Sequence, residues 1–211
     1  MPRTANLEAR GRILDAAHRL FYTSGLSAVS MDAVACAAGM KKANLFHYYP
    51  TKESLELAVL DRAAANMNER IARVARQPYD PVGAVQRIFE EAGGLMRQSH
   101  CSGGCFFGNL AQETSDRNER IRQKVAEHFQ AWTAELAAFL ERWRCAGYFR
   151  DGFQPQAAAE AILSLVEGAL LFSKASKSTE PLESAMHLAV AYLEATRAVG
   201  TGLRPEAVET A

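Results

Sequence analysis

Two clusters of side chains in the 211-residue chain have the types and spacing for chemistry. The first lies within Ser30–Leu55, SMDAVACAAGMKKANLFHYYPTKESL. Lys41, Lys42 and Asn44 stand at the start of a short helical stretch, where short polar and basic side chains can reach into a major groove. His47, Tyr48 and Lys52 can hydrogen-bond phosphates and set register, and Ser30, at a helix start in the same segment, is a further DNA-binding candidate. The second cluster is His100-Cys101-Ser102-Gly103-Gly104-Cys105-Phe106-Phe107-Gly108-Asn109-Leu110-Ala111-Gln112-Glu113. Cys105 follows two glycines and is expected to open a helix, where free amides and the dipole favour a thiolate. Cys101, four residues earlier, is a candidate resolving thiol. The plainer alternative is that Cys105 is an inert thiol lining a pocket.

The elements that must position these groups read as helices throughout. Ile13, Leu14, Ala17, Leu20 and Phe21 give one apolar face to a first helix over about 7–24, which Gly25 ends as a left-handed cap. Ser30 reads as the N-cap of a helix over 31–37. Gly39 turns the chain into a helix over 41–47, and Pro50 ends it. Ala33, Ala35, Ala37 and Ala38 are expected to give the first of these short helices a small face for close crossing. Thr51 caps a long fourth helix. The stretch 77–81, with two prolines, reads as a hinge between functional halves. Further helices are expected near 82–96, 118–145, 155–176 and 181–198, and residues 201–211 read as a tail. The fold class is therefore all-α: a three-helix DNA-binding domain over 1–52 and a helical bundle over 53–200.

Charge supports this division. The chain carries 24 basic and 24 acidic residues, a formal net charge of zero. Residues 1–50 nevertheless carry +3, from six basic and three acidic side chains, and the remainder carries −3. A cationic end on an anionic body is a footprint for nucleic acid. Four cysteines are too few for a disulfide scaffold. No signal core precedes the first helix, and no run of about 18 apolar residues is seen, so a cytoplasmic, membrane-free protein with reduced thiols is expected. Cys36 and Cys145 read as core residues. A zinc site of His100, Cys101 and Cys105 lacks a fourth ligand, and no orienting group is evident for a Cys105 nucleophile paired with His100 or His128. No metal, cofactor or catalytic residue is assigned.

At these residues the chain resembles the TetR family of transcriptional repressors, through RILDAAHRLFYTSGLSAVSMDAVACAAGM and NLFHYYPTKESL, about 50 residues in all. Phe46 stands where many members carry Tyr. The segment GCFFGNLAQE resembles the NemR/AcuR-like subgroup, which implies an effector or electrophile sensor centred on Cys105, with Lys174 or Lys177 near it. The family implies that 53–200 is an effector-binding and dimerisation domain, and implies a homodimer on double-stranded, palindromic operator DNA and a small-molecule effector of unknown identity. Besides Cys101 and Cys105, the candidate pocket residues are Phe106, Asn109, Trp132, Glu167, Phe172 and Lys174. Glu167 interrupts an apolar run and needs a partner if buried. The last two long helices would form the dimer interface through Leu165, Ala169, Met186, Val190 and Leu193. The rival reading is a thiol-dependent helical enzyme or ligand-binding protein without a DNA role.

Overall fold

The structure, a computed structural model, describes residues 3–75 and 77–198. Among these it contains nine helices: α1 Arg3–Ser24, α2 Met31–Ala37, α3 Lys42–Tyr48, α4 Lys52–Ala75, α5 Pro81–Gln98, α6 Phe106–Thr114, α7 Glu119–Cys145, α8 Pro155–Ser176 and α9 Glu180–Ala195. One isolated antiparallel bridge joins Phe149 and Arg197. The expected tail, 201–211, lies outside the described residues.

Two compact units emerge, each discontinuous in sequence. The first comprises residues 1–67 and 106–128, the second 68–105 and 129–211. The boundary expected after residue 52 thus falls inside the first unit. The expected hinge at 77–81 separates α4 from α5 but lies inside the second. The physical reason is that α4 and α7 are continuous helices, so each contributes to both units.

In the first unit, α1 buries Ala9, Ile13, Ala16, Ala17 and Phe21, while Leu14 and Leu20 flank this stripe half-buried. Gly25 closes the helix at φ +80°, its N–H bonding the Phe21 carbonyl at 2.9 Å. Ser30 caps α2 by accepting from the Ala33 N–H at 3.1 Å. Thr51 and Ser54 cap α4 reciprocally: Ser54 N–H donates to Thr51 Oγ1 at 3.0 Å, and Thr51 N–H to Ser54 Oγ at 3.2 Å. On the far side of α4, Glu53 pairs with Arg120 and Asp61 with Lys124, both from α7.

The second unit packs α8 on α9 and both on α5. Its core includes Phe89, Met96, Trp132, Leu140, Trp143, Tyr148, Phe149, Ile162, Val166, Leu182 and Leu193. Asp80 caps α5 through Gly83 N–H at 2.8 Å and accepts from the Tyr148 hydroxyl at 3.3 Å. Burial first, then the Asp80 charge, pushes the Tyr148 phenol up to about 12. By length and composition alone, α8 is apolar enough to cross a membrane. Its apolar residues Ala158, Ala159, Ile162, Leu163, Val166, Ala169 and Leu170 are instead buried in this core.

Candidate DNA-binding head and thiol site

The head is built by α2 and α3. Gly39, at φ +65°, turns the chain between them, a conformation that suits glycine. The buried face of α2 is Val34 and Ala35, continued by Ala38. Ala33 and Ala37 were expected on that face but are exposed, because the helical period carries them to the opposite side. Leu45 is the one buried residue of α3, and Tyr49 follows as core beneath Arg10, whose guanidinium lies 5.9 Å from the ring centre. Everything else on α3 faces outward or is half-buried. Lys41, Lys42, Asn44, His47 and Phe46 are exposed, and Tyr48 is half-buried with its ring edge-on to His47.

Lys42 forms an exposed 2.8 Å ion pair with Asp32 of α2 and lies 5.9 Å from the Phe46 ring centre. Exposed pairs contribute little, about 0–1 kcal/mol, so the ammonium can exchange Asp32 for a phosphate at small cost. Lys52, expected on phosphate, is turned inward. Its ammonium donates to the Leu26 carbonyl at 2.6 Å and pairs with Glu56 at 3.7 Å. The inward turn has a simple cause: the first turn of α4 faces the α1–α2 loop, whose carbonyls need donors. Glu56 is buried there, and desolvation raises its carboxyl against the opposing pull of Lys52.

A residue that sequence reasoning passed over completes this junction. Glu113, near the end of α6, accepts from Leu26 N–H at 2.9 Å and Ser27 N–H at 2.7 Å. Desolvation raises its carboxyl, but the two N–H bonds and Lys52 outweigh it and hold the group below the ordinary range. Glu113 closes the GCFFGNLAQE motif, yet nothing local in that motif shows that its target lies 86 residues upstream.

Of the four cysteines, Cys101 is buried and Cys105 half-buried, whereas Cys36 and Cys145 are exposed. The core roles expected for the last two are thereby corrected. Cys36 lies on the outward face of α2, and Cys145 ends α7 beside Glu141, whose Oε1 is 3.5 Å from its sulfur. Cys105 sits immediately before α6 instead of opening it. It packs against the core of the second unit and hydrogen-bonds the Glu167 carboxyl of α8. Burial raises the Glu167 carboxyl, and the thiol bond opposes that shift. The other carboxyl oxygen, Oε1, is buried with no hydrogen-bond partner among the described residues. Lys174 is half-buried two turns along α8, on the same face as Glu167. Lys177 reaches the Cys101 carbonyl at 3.1 Å, not the Cys105 thiol. His100, Cys101 and Lys177 all adopt positive φ, at 48°, 53° and 56°.

The remaining pocket candidates divide. Trp132 lies in the core of the second unit. Phe106 and Asn109 belong to the first unit, where the Phe106 ring lies tilted against His18 of α1, centroids 4.7 Å apart. Phe172 is 68% exposed, which removes it from a pocket within this unit. The expected interface set divides too. Ala169 and Leu193 are buried in the protomer's own core, which they face because they share a helical stripe with Val166 and Ala189. Leu165, Met186 and Val190 are half-buried. The exposed large apolar residues on these helices are Leu171, Phe172, Leu188 and Tyr192.

Two short helices about a glycine turn, the second exposed and basic at its start, define a helix-turn-helix DNA-binding regulator. Residues 13–59 match the family described as "Bacterial regulatory proteins, tetR family", and residues 81–187 match "Transcriptional regulator LmrA/YxaF-like, C-terminal domain". The chain belongs to the LmrA/YxaF-like branch of the TetR family. It is 26% identical to the "Uncharacterized HTH-type transcriptional regulator YxaF" of Bacillus subtilis over 183 residues, 85% of this chain and 92% of that protein. It is 23% identical to the "HTH-type transcriptional repressor NemR" of Escherichia coli over 180 residues, 85% of this chain and 90% of that one. A TetR regulator from Chloroflexus aurantiacus shares its fold, with a TM-score of 0.82 at 24% identity, covering 92% of this chain and 98% of the other.

Proposed function

We propose that this DNA-binding regulator is a repressor that binds a palindromic operator as a homodimer in the bacterial cytoplasm. It is released when a small effector, or modification of Cys105, shifts the second unit. One observation carries the sensing half: the partly accessible Cys105 thiol sits directly before α6 and is hydrogen-bonded to a buried carboxyl whose second oxygen has no partner among the described residues. Such an oxygen suits a ligand that donates a hydrogen bond. NemR, a repressor of similar sequence, makes repression the reading that fits best.

The dimer contact is assigned to the exposed apolar face of α8 and α9, Leu171, Phe172, Leu188 and Tyr192. One short recognition helix makes few base contacts, so pairing two at half-sites about 34–36 Å apart, or a multiple, supplies the missing affinity. Effector and DNA must differ in their affinity for two states by about 1–3 kcal/mol for release to be effective.

The test starts from duplexes selected by the protein out of random sequence. N-ethylmaleimide, which joins its alkene carbon to the thiol sulfur, should release the wild type from the selected duplex, and Cys105→Ser should blunt that release at least fivefold, within the usual allosteric range of about 5–150-fold. Undiminished release from the Cys105→Ser protein would reject Cys105 as sensor and leave it as pocket lining. Release by an uncharged hydrogen-bond donor without thiol modification would then favour the small-ligand form.

A further inference from the structure

α6 belongs by sequence to the C-terminal family region, which spans residues 81–187, yet it packs within the unit that carries the DNA-binding helices. Both of its ends are held there. At its start, the Phe106 ring lies tilted against His18 and Tyr22 of α1, with centroids 4.7 and 6.4 Å away. At its end, Glu113 grips the loop between α1 and α2 through two N–H bonds of 2.9 and 2.7 Å. The grip is closely fitted. A Cβ at Gly25 would stand 2.7 Å from Glu113 Oε2, and Gly25 also needs φ +80°. Lys52 bonds the Leu26 carbonyl from the other side, so both polar groups of the Leu26 backbone are tied to charged side chains.

We infer that Glu113 is the positioning residue for operator binding: its carboxylate clasps the Leu26 and Ser27 amides and so sets the approach of α2 and α3 to DNA. The loop it holds runs directly into Ser30, the cap of α2. Two amides donating to one carboxylate are charge-assisted bonds and anchor the loop more firmly than neutral ones. Without the carboxylate the loop samples other conformations, and DNA must select the competent one, which lowers apparent affinity. Because α6 starts at the residue after Cys105, any displacement there is passed through the backbone to the helix that carries the clasp. This last step rests on the effector reading above; the clasp itself does not.

The experiment uses the full chain, the duplex selected by the wild type, and the variants Glu113→Ala and Glu113→Gln. Both should keep wild-type helical circular dichroism. Affinity for the duplex should fall at least about fivefold in Glu113→Ala and less in Glu113→Gln, which keeps one acceptor oxygen. The amide resonances of Leu26 and Ser27 should titrate in the free wild type with a midpoint below 4.5, and this titration should vanish in Glu113→Gln. A merely structural residue would not give that signature. Affinity within about twofold of wild type in Glu113→Ala, or amide resonances that ignore the Glu113 titration, would overturn the clasp. If Glu113→Ala fails to fold, Glu113→Gln decides by the same two readouts. N-ethylmaleimide separates the two readings. If it does not release the wild type, the Cys105 reading fails while the affinity comparison still judges the clasp. If it releases wild type and Glu113→Ala by the same factor, the clasp is not part of the response and its coupling role is rejected.

Discussion

At the scale of single residues, two lysines that look alike in the sequence do different work. Lys42 is exposed, paired with exposed Asp32 and set over the exposed Phe46 ring, while Lys52 is spent on the Leu26 carbonyl and Glu56. Counterion release distinguishes them. Lys42→Ala should weaken binding to all duplexes and lower the slope of log affinity against log salt by about one. Lys52→Met should also weaken binding, by loosening the α1–α2 loop, but with the slope unchanged. Filter binding of both variants across a salt series checks this pair of outcomes. Asn44 and the lysines were legible as candidates because type and spacing suffice to place them on one short helix. The inward turn of Lys52 was not, since it answers to a carbonyl 26 residues away.

At the scale of elements, α6 and α7 meet through a ring stack. Phe107 lies over His128 with centroids 3.7 Å apart and planes 19° from parallel. Burial drives the His128 imidazole down to about 4, from an ordinary value of 6.5. Between those values the unfolded chain holds more protons than the folded one, so stability rises with pH across the window. It is fully present above about 6.5 and is lost as pH falls toward 4. His18, also lowered by burial first and then by Arg62, acts in the same direction. Thermal melts should therefore show the transition temperature dropping from pH 7 to pH 5, with a shallower drop in His128→Phe, which keeps the stack and removes the titration. The helices themselves were readable from period, caps and prolines: α2, α5 and α8 start where Ser30, Pro81 and Pro155 place them. Their assignment to units was not, because α6 packs with helices more than 80 residues earlier in the chain.

At the scale of the whole molecule, the zero net charge is a cancellation between a cationic head and an anionic remainder. The apolar face of α8 and α9 is the other global feature. Phe172 is 68% and Leu188 60% exposed, on helices whose opposite faces are already buried. Covering such side chains is worth roughly 1.5–3 kcal/mol each. Phe172→Glu combined with Leu188→Glu should weaken self-association by about tenfold or more and lower duplex affinity with it. Sedimentation at micromolar concentration measures the first effect. A protein that sediments as a dimer regardless of both charges would move the interface elsewhere.

The sequence by itself determined the all-α class, the helix-turn-helix and its family, because caps, turns and apolar period are local properties with a range of a few residues. It also singled out Cys105 and Glu167, since a thiol after two glycines and a carboxylate in an apolar run are visible without a fold. Only the tertiary structure decided which faces those helices bury. It showed that Glu167 meets Cys105, that Ala169 and Leu193 belong to the core while Phe172 faces out, and that Glu113 and Lys52 hold the loop ahead of α2. Those pairings depend on which backbone groups remain unsatisfied once distant helices pack, and that is settled by the whole chain at once.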